Sequence, residues 1–174
     1  VFRMRNFMEN KQMKKVLVVS DSHGREENLK KAINNMGDQM DYFIHLGDLG
    51  FSRDKLNQWI TCPMAIVRGN NDVAQTDIPR ICRIEIQGMG ILLLHGDQVG
   101  GMWGLEKLKS MARENNATIV MFGHTHMPFL LQEDGITLLN PGSISLPRQD
   151  GHRPTYLVMN CESEKVDFVH VELS

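Results

Sequence analysis

The feature that most narrows the fold of this chain is a recurring handover, in which a short apolar run stops at a coordinating side chain beside a glycine. Residues 15–20 run into Asp21-Ser22-His23-Gly24, residues 41–46 into Gly47-Asp48, and residues 64–67 into Gly69-Asn70-Asn71-Asp72. Residues 90–94 run into His95-Gly96-Asp97, and residues 118–122 into Gly123-His124-Thr125-His126. Short, β-branched apolar runs bounded by turn residues read as buried strands. An α/β protein builds its site where strands give way to loops at one edge of a sheet. The chain is therefore expected to bring these strand ends to a common rim.

Between the strands, a helical period over residues 25–36 places Leu29, Ala32, Ile33 and Met36 on one face, with Gly37 as the stop. A short helix is expected over residues 54–60. Another is expected over 104–115, where Leu105, Leu108, Met111 and Ala112 form the apolar stripe. Residues 80–86 and 90–94 flank Gln87-Gly88-Met89 and read as a hairpin. Residues 128–132, 135–139, 155–160 and 165–172 are strand-like and separated by turns. The first half thus alternates strands and helices while the last third is mostly strand, which excludes a purely parallel sheet. Two packed sheets covered by helices fit better.

No repeat or linker divides the chain, so residues 13–174 are expected to form one domain. Residues 1–12 alternate basic, polar and apolar types without a signal peptide's hydrophobic core. They read as a poorly ordered extension outside that domain. A chain of 174 residues can bury roughly 70% of its unfolded surface without a disulfide. The three cysteines, Cys62, Cys82 and Cys161, are far apart. They read as small buried hydrophobes in a reducing cytoplasm. No apolar stretch approaches the ~20 residues of a membrane span. A net charge of −2 argues against a protein that binds nucleic-acid duplexes.

Asp21 and His23 stand at i and i+2, as do His124 and His126. In an extended chain such pairs project to the same side, and Ser22 and Thr125 would point away into the frame. The candidate ligands Asp21, His23, Asp48, Asn70, His95, His124 and His126 offer imidazole nitrogen, carboxylate oxygen and amide oxygen. That mixture suits Mn, Fe, Zn, Co or Ni, whereas Mg and Ca favour oxygen shells. Seven ligands exceed the needs of one ion and suit two, with one carboxylate bridging. Two ions about 3.5–4 Å apart are suited to in-line attack at phosphorus.

The ordered series Asp21-x-His23, Gly47-Asp48, Gly69-Asn70-x-Asp72, His95-Gly96 and Gly123-His124-x-His126 resembles the calcineurin-like metallophosphoesterases. The small size, the opening Asp-Ser-His-Gly and the segment Asn140-Pro141-Gly142-Ser143 resemble the YfcE-type small prokaryotic phosphodiesterase branch. The resemblance implies a four-layer α/β/β/α sandwich of two mixed sheets flanked by helices. It implies two divalent transition-metal ions, manganese first and nickel, zinc or iron as alternatives. Asp21, His23 and His126 would hold one ion and Asn70, His95 and His124 the other. Asp48 would bridge them together with the attacking hydroxide, and Asp48, Asn70 and His95 would be the catalytic residues.

The same resemblance puts Asn140 to Ser143 in a loop at the cleft and makes Asn71 and Arg148 substrate contacts. Many family members carry a histidine where this chain has Asn71, and there it assists the leaving group. Losing such an acid costs about 10²–10⁴ in rate for a poor leaving group. A bias toward good leaving groups follows. The expected activity is hydrolysis of a small or nucleotide-like phosphodiester. The alternatives are a phosphomonoesterase or, like a retromer subunit of this fold, a protein-interaction scaffold. Outside the series, His45 is expected to pack behind a ligand, His152 and His170 to lie at the surface or in packing, and Trp59 and Trp103 to pack.

Overall fold

In the computed structural model, which describes residues 12–100, 104–163 and 165–174, β1 (Lys14–Val19) sets the layering by simple alternation. Val16 and Val18 face a core shared with Ile44, Ile91, Leu93, Met121 and Leu157. Leu17 and Val19 face the opposite way, onto Leu29, Ala32, Ile33 and Met36 of α1 (Glu26–Met36). All four β1 side chains are fully buried. At about 1.5–3 kcal/mol for each buried large aliphatic side chain, these two faces stabilise β1 far more than its intrinsic propensity does. The expected stripe of α1 is the buried one, and the Gly37 amide closes the helix on the Ile33 carbonyl.

The remaining strands are β2 (Tyr42–His45), β3 (Met64–Ile66), β4 (Ile81–Ile86), β5 (Met89–Leu94) and β6 (Ile119–Met121). They are followed by β7 (Pro128–Glu133), β8 (Ile136–Pro141), β9 (Thr155–Glu162) and β10 (Lys165–Glu172). One sheet has the order β10-β9-β1-β2-β3 and the other β4-β5-β6-β8-β7. The β1–β2–β3 and β5–β6–β8 pairings are parallel, and the flanking pairs are antiparallel. On the outer face of the second sheet, α3 (Leu105–Glu114) covers Leu92, Leu94, Val120 and Leu138 with Leu108 and Ala112. The result is the expected α/β/β/α sandwich of two mixed sheets. Among the described residues no helix is long and apolar enough to cross a membrane.

The helix expected over residues 54–60 is only α2 (Arg53–Leu56), followed by turns in which Trp59 and Ile60 donate to the Leu56 carbonyl. The chain leaves the helix early enough for the Pro63 carbonyl to accept from the Phe43 amide and start β3. The strands expected to include Ser20, Leu46, Val67 and Phe122 stop short of them. Lys109, on the covered side of α3, is buried. It is tolerated because its ammonium meets Glu106 at 2.9 Å and also Glu133, with Asp134 at 3.7 Å. The extension expected over residues 1–12 falls outside the described residues apart from Gln12, and so does Trp103.

Candidate metal centre

All seven candidate ligands follow the C-terminal ends of parallel strands on one rim of the sandwich. Asp21 and His23 come after β1, Asp48 after β2, Asn70 after β3, His95 after β5, and His124 and His126 after β6. The two sheets meet there where His95 Nδ1–H donates to the Leu46 carbonyl and the His124 amide to Asp21 Oδ2, and backbone bonds join neighbouring exit loops within each sheet. The Asp21, His23 and Gly24 amides donate to the Gly47, Asp48 and Leu49 carbonyls, and the Gly123 amide donates to the His95 carbonyl.

The pairs at i and i+2 do not converge as extended chain. Asp21, His23, Asp48, His124 and His126 have φ of 57, 46, 54, 67 and 61°, in the left-handed region. A residue with a side chain costs about 1–2 kcal/mol there. Strain of this kind persists where the surroundings over-determine it, and it gathers at functional sites. The expected outcome survives with a different backbone: Ser22 and Thr125 do turn away, Ser22 onto His45 and Thr125 onto Asn140.

Two groups result, each with ligand atoms close enough to share an ion: Asp21, His23 and His126, and Asp21, Asp48 and His95. Asp21 Oδ1 lies 3.1 Å from His126 Nε2, 3.8 Å from His23 Nε2 and 3.9 Å from His95 Nε2. Asp48 Oδ2 lies 3.5 Å from His95 Nε2 and 3.7 Å from His23 Nε2. Both carboxylates therefore face both groups. His124 joins through its ring, 5.2 Å from that of His95. Asn70 stands exposed on the rim, and Arg148 is exposed with its backbone amide on the His126 carbonyl.

His95 and His126 are aimed from behind. Each donates its Nδ1–H to a backbone carbonyl at 2.7 Å, Leu46 for His95 and Leu146 for His126, so Nε2 turns toward the carboxylates. Most of the resulting nitrogen–oxygen separations are too long for hydrogen bonds. They suit donors that share an ion about 2.0–2.2 Å from each. Among the described residues Asp21 Oδ1 and His95 Nε2 are moreover buried without a hydrogen-bond partner, and a buried polar atom left so is costly. The residues fit a metal.

The ionisation of the cluster follows from the same contacts. Burial pushes the Asp48 carboxyl up, but His95 and the two bonds from Asn71 outweigh it and hold it well below the carboxylate range. Burial likewise raises Asp21, and His126 and His95 outweigh it. His95 is raised because Asp48 and Asp21 overcome its burial, whereas burial leaves His23 and His124 lowered.

Behind the ligands lies a frame that the sequence hinted at only in part. Asp72, 3% exposed, accepts from the Leu49 and Gly69 amides at 2.9 Å and from Gly50 and Gln75 Nε2 at 3.3 Å. It ties the Asp48 loop to the Asn70 loop, and its place in Gly69-x-x-Asp72 was the available signal. Ser143 donates to the Asp21 carbonyl, and Asn140 Nδ2 donates to the Gly123 carbonyl. Residues 140–143 are buried, so they brace the site from within and do not form an open cleft loop. His170 donates to the Asn140 carbonyl at 2.7 Å, a partner invisible in sequence because it lies 30 residues away. His152, exposed, contacts the Pro147 carbonyl, and Trp59 packs with Phe51 under Lys30.

His45 is fully buried behind Ser22. The Ser22 hydroxyl donates to the Leu49 carbonyl, so His45 Nε2–H donates to Ser22 Oγ at 2.8 Å while Nδ1 accepts from Gly47. One donor and one acceptor make a neutral ring, and burial drives its pKa from 6.5 down to about 4. Because the folded value is the lower one, the unfolded chain protonates first. The stability this ring contributes is therefore present above pH 6.5 and is lost as pH falls toward 4. Linkage puts the loss between pH 7 and pH 5 at roughly 2 kcal/mol. Urea unfolding of wild type and His45→Gln at both pH values should show that excess loss in wild type alone; equal losses would refute the assignment.

Residues 13–164 match the calcineurin-like phosphoesterase superfamily domain. A protein named probable metallophosphoesterase from Methanothermobacter thermautotrophicus is 32% identical over 154 residues, spanning 86% of this chain and 87% of its own. The fold is similar to that of a Streptococcus pneumoniae protein described as a predicted phosphoesterase, with a TM-score of 0.77 and 28% identity over 94% of this chain and 98% of that one. Two other solved structures are 22% identical and share the fold. Vacuolar Protein Sorting 29 from Cryptosporidium parvum has a TM-score of 0.74 over 93% of this chain and 98% of its own. An archaeal phosphodiesterase has a TM-score of 0.71 over 91% and 99%.

Proposed function

This chain belongs to the calcineurin-like phosphoesterase superfamily, and from that membership we propose that it is a two-metal phosphodiesterase acting on small or nucleotide-like diesters. The observation that carries the reading is the pair of ligand groups sharing Asp21, with Asp48 facing the histidines of both. Two divalent ions held there would supply Lewis-acid stabilisation of the phosphoryl oxygens and a lowered pKa for a bound water. The resemblance puts manganese first, and the imidazole nitrogens of the set also suit nickel, zinc and iron.

The rest of the chemistry belongs to the chain itself. His95 and His126 keep their Nε2 atoms toward the centre because their Nδ1 protons are spent on Leu46 and Leu146. Asn70, exposed on the rim, would supply an amide oxygen to the ion held with His95 and His124. Arg148 meets the incoming phosphate, and Arg25, whose guanidinium contacts the Ser145 carbonyl, adds a second positive charge nearby. Asn71 is an amide, which is no proton donor for a departing alkoxide, so good leaving groups are favoured. The three free cysteines fit a reducing compartment such as the cytoplasm.

The test is hydrolysis of a nitrophenyl phosphodiester and of the matching monoester by metal-stripped protein given Mn, Ni, Zn or Mg. Metal-restored turnover with the diester preferred is the expected result. A monoester preference would redirect the reading to a phosphomonoesterase. Absence of turnover at full metal occupancy would sink the enzyme reading and leave the interaction scaffold.

A further inference from the structure

Asn71 occupies the position where many members of the resembled superfamily carry a histidine, and its surroundings give it a different task. Its backbone amide donates to Asp48 Oδ1 at 2.9 Å, and its side-chain Nδ2 donates to Asp48 Oδ2 at 2.6 Å. One residue therefore grips both oxygens of one carboxylate and fixes the plane of that group. The loop bearing Asn71 is packed directly on Asp48: a Cβ added at Gly69 would stand 2.1 Å from Asp48 Oδ1. Held this way, Oδ2 faces His95 Nε2 and His23 Nε2 together.

We infer that Asn71 is a positioning residue, which orients the Asp48 carboxylate between the two histidine groups and makes no contact with substrate. The inference rests on the two-metal reading of the site. An amide suits this task because it donates a hydrogen bond to a carboxylate without carrying charge or titrating. The bond to Asp48 commits one of the two Nδ2 hydrogens and turns the amide toward the carboxylate. Residues that hydrogen-bond a ligating carboxylate typically set metal affinity by about 10–100-fold.

The experiment compares wild type with Asn71→Ala and Asn71→Asp. Asn71→Asp is the isosteric variant that keeps the shape and replaces the donor with an acceptor. Manganese binding is measured by equilibrium dialysis, alongside kcat and KM for nitrophenyl and alkyl phosphodiesters at saturating manganese. Both variants are expected to bind manganese about 10–100-fold more weakly, Asn71→Asp at least as weakly as Asn71→Ala. At saturating metal, KM and the dependence of kcat/KM on leaving-group pKa should match wild type.

Unchanged manganese affinity in Asn71→Asp would overturn the inference. So would a raised KM at unchanged affinity, which marks a substrate contact, or a steeper leaving-group dependence, which marks a proton donor. Wild type that takes up no manganese would overturn both this inference and the centre it rests on. Wild type that binds two ions but hydrolyses nothing would overturn the proposed activity alone.

Discussion

Asp48→Asn is expected to lower metal-restored diester turnover by about 10³-fold, the rate equivalent of some 4 kcal/mol of transition-state stabilisation. The Asp48 side chain is 2% exposed, and its Oδ2 is the atom that faces His95 and His23 together. An asparagine there keeps the volume but removes a negative charge and one of the two acceptor oxygens. In either amide orientation its NH₂ confronts an N–H of Asn71, since Asn71 donates to both oxygens. A buried donor facing a donor leaves both unsatisfied. Metal content and turnover should therefore fall together while far-UV circular dichroism stays that of wild type. Turnover within tenfold of wild type, at equal metal content, would remove Asp48 from the centre of the site.

The second large effect is expected at Gly47, where Ala should destabilise the fold by about 3 kcal/mol or more, combining left-handed strain with forced displacement. Gly47 has φ +97°, and an added Cβ would lie 2.6 Å from the Gly69 nitrogen, 2.9 Å from Gly69 Cα and 2.8 Å from His95 Nδ1. Backbone on one side cannot move aside as a flexible side chain can. His95 on the other cannot yield without losing its bond to the Leu46 carbonyl. For a domain of this size the loss corresponds to a melting temperature lower by roughly 6–12 °C. The folded fraction should also show weakened metal binding, because His95 is the group displaced. Thermal unfolding of Gly47→Ala within 2 °C of wild type would show that the Asp48 and Asn70 loops are not packed as tightly as described.

What could be read from the sequence was local in its physics. The helical stripe Leu29, Ala32, Ile33 and Met36 is buried, because a 3.6-residue period needs no knowledge of the partner surface. The strand expected over residues 165–172 is β10, because alternation over eight residues is as clear on an edge strand as in the middle of a sheet. Strand ends were less readable. Leu46 and Phe122 still donate to the Val19 and Leu139 carbonyls, yet regular pairing ends before them where the backbone twists into the left-handed turns of the site. Lys109 was unreadable for another reason: its burial depends on carboxylates at the end of β7 and in the turn after it, more than twenty residues on.

The same division runs through the site. The identity and order of Asp21, His23, Asp48, Asn70, His95, His124 and His126 are properties of the sequence alone. Each is announced by the apolar run before it and the glycine beside it, so a strand exit suffices to mark it. Which of them meet was decided by tertiary structure, because that depends on the order of strands across two sheets. His23 and His126 are 103 residues apart and their Nε2 atoms 3.3 Å. The aim of His95 and His126 is set by main-chain carbonyls, which every residue possesses and no sequence pattern marks. Asn71 reads as a missing acid in the sequence. Only the fold, by laying its loop on Asp48, gives that amide a carboxylate to hold.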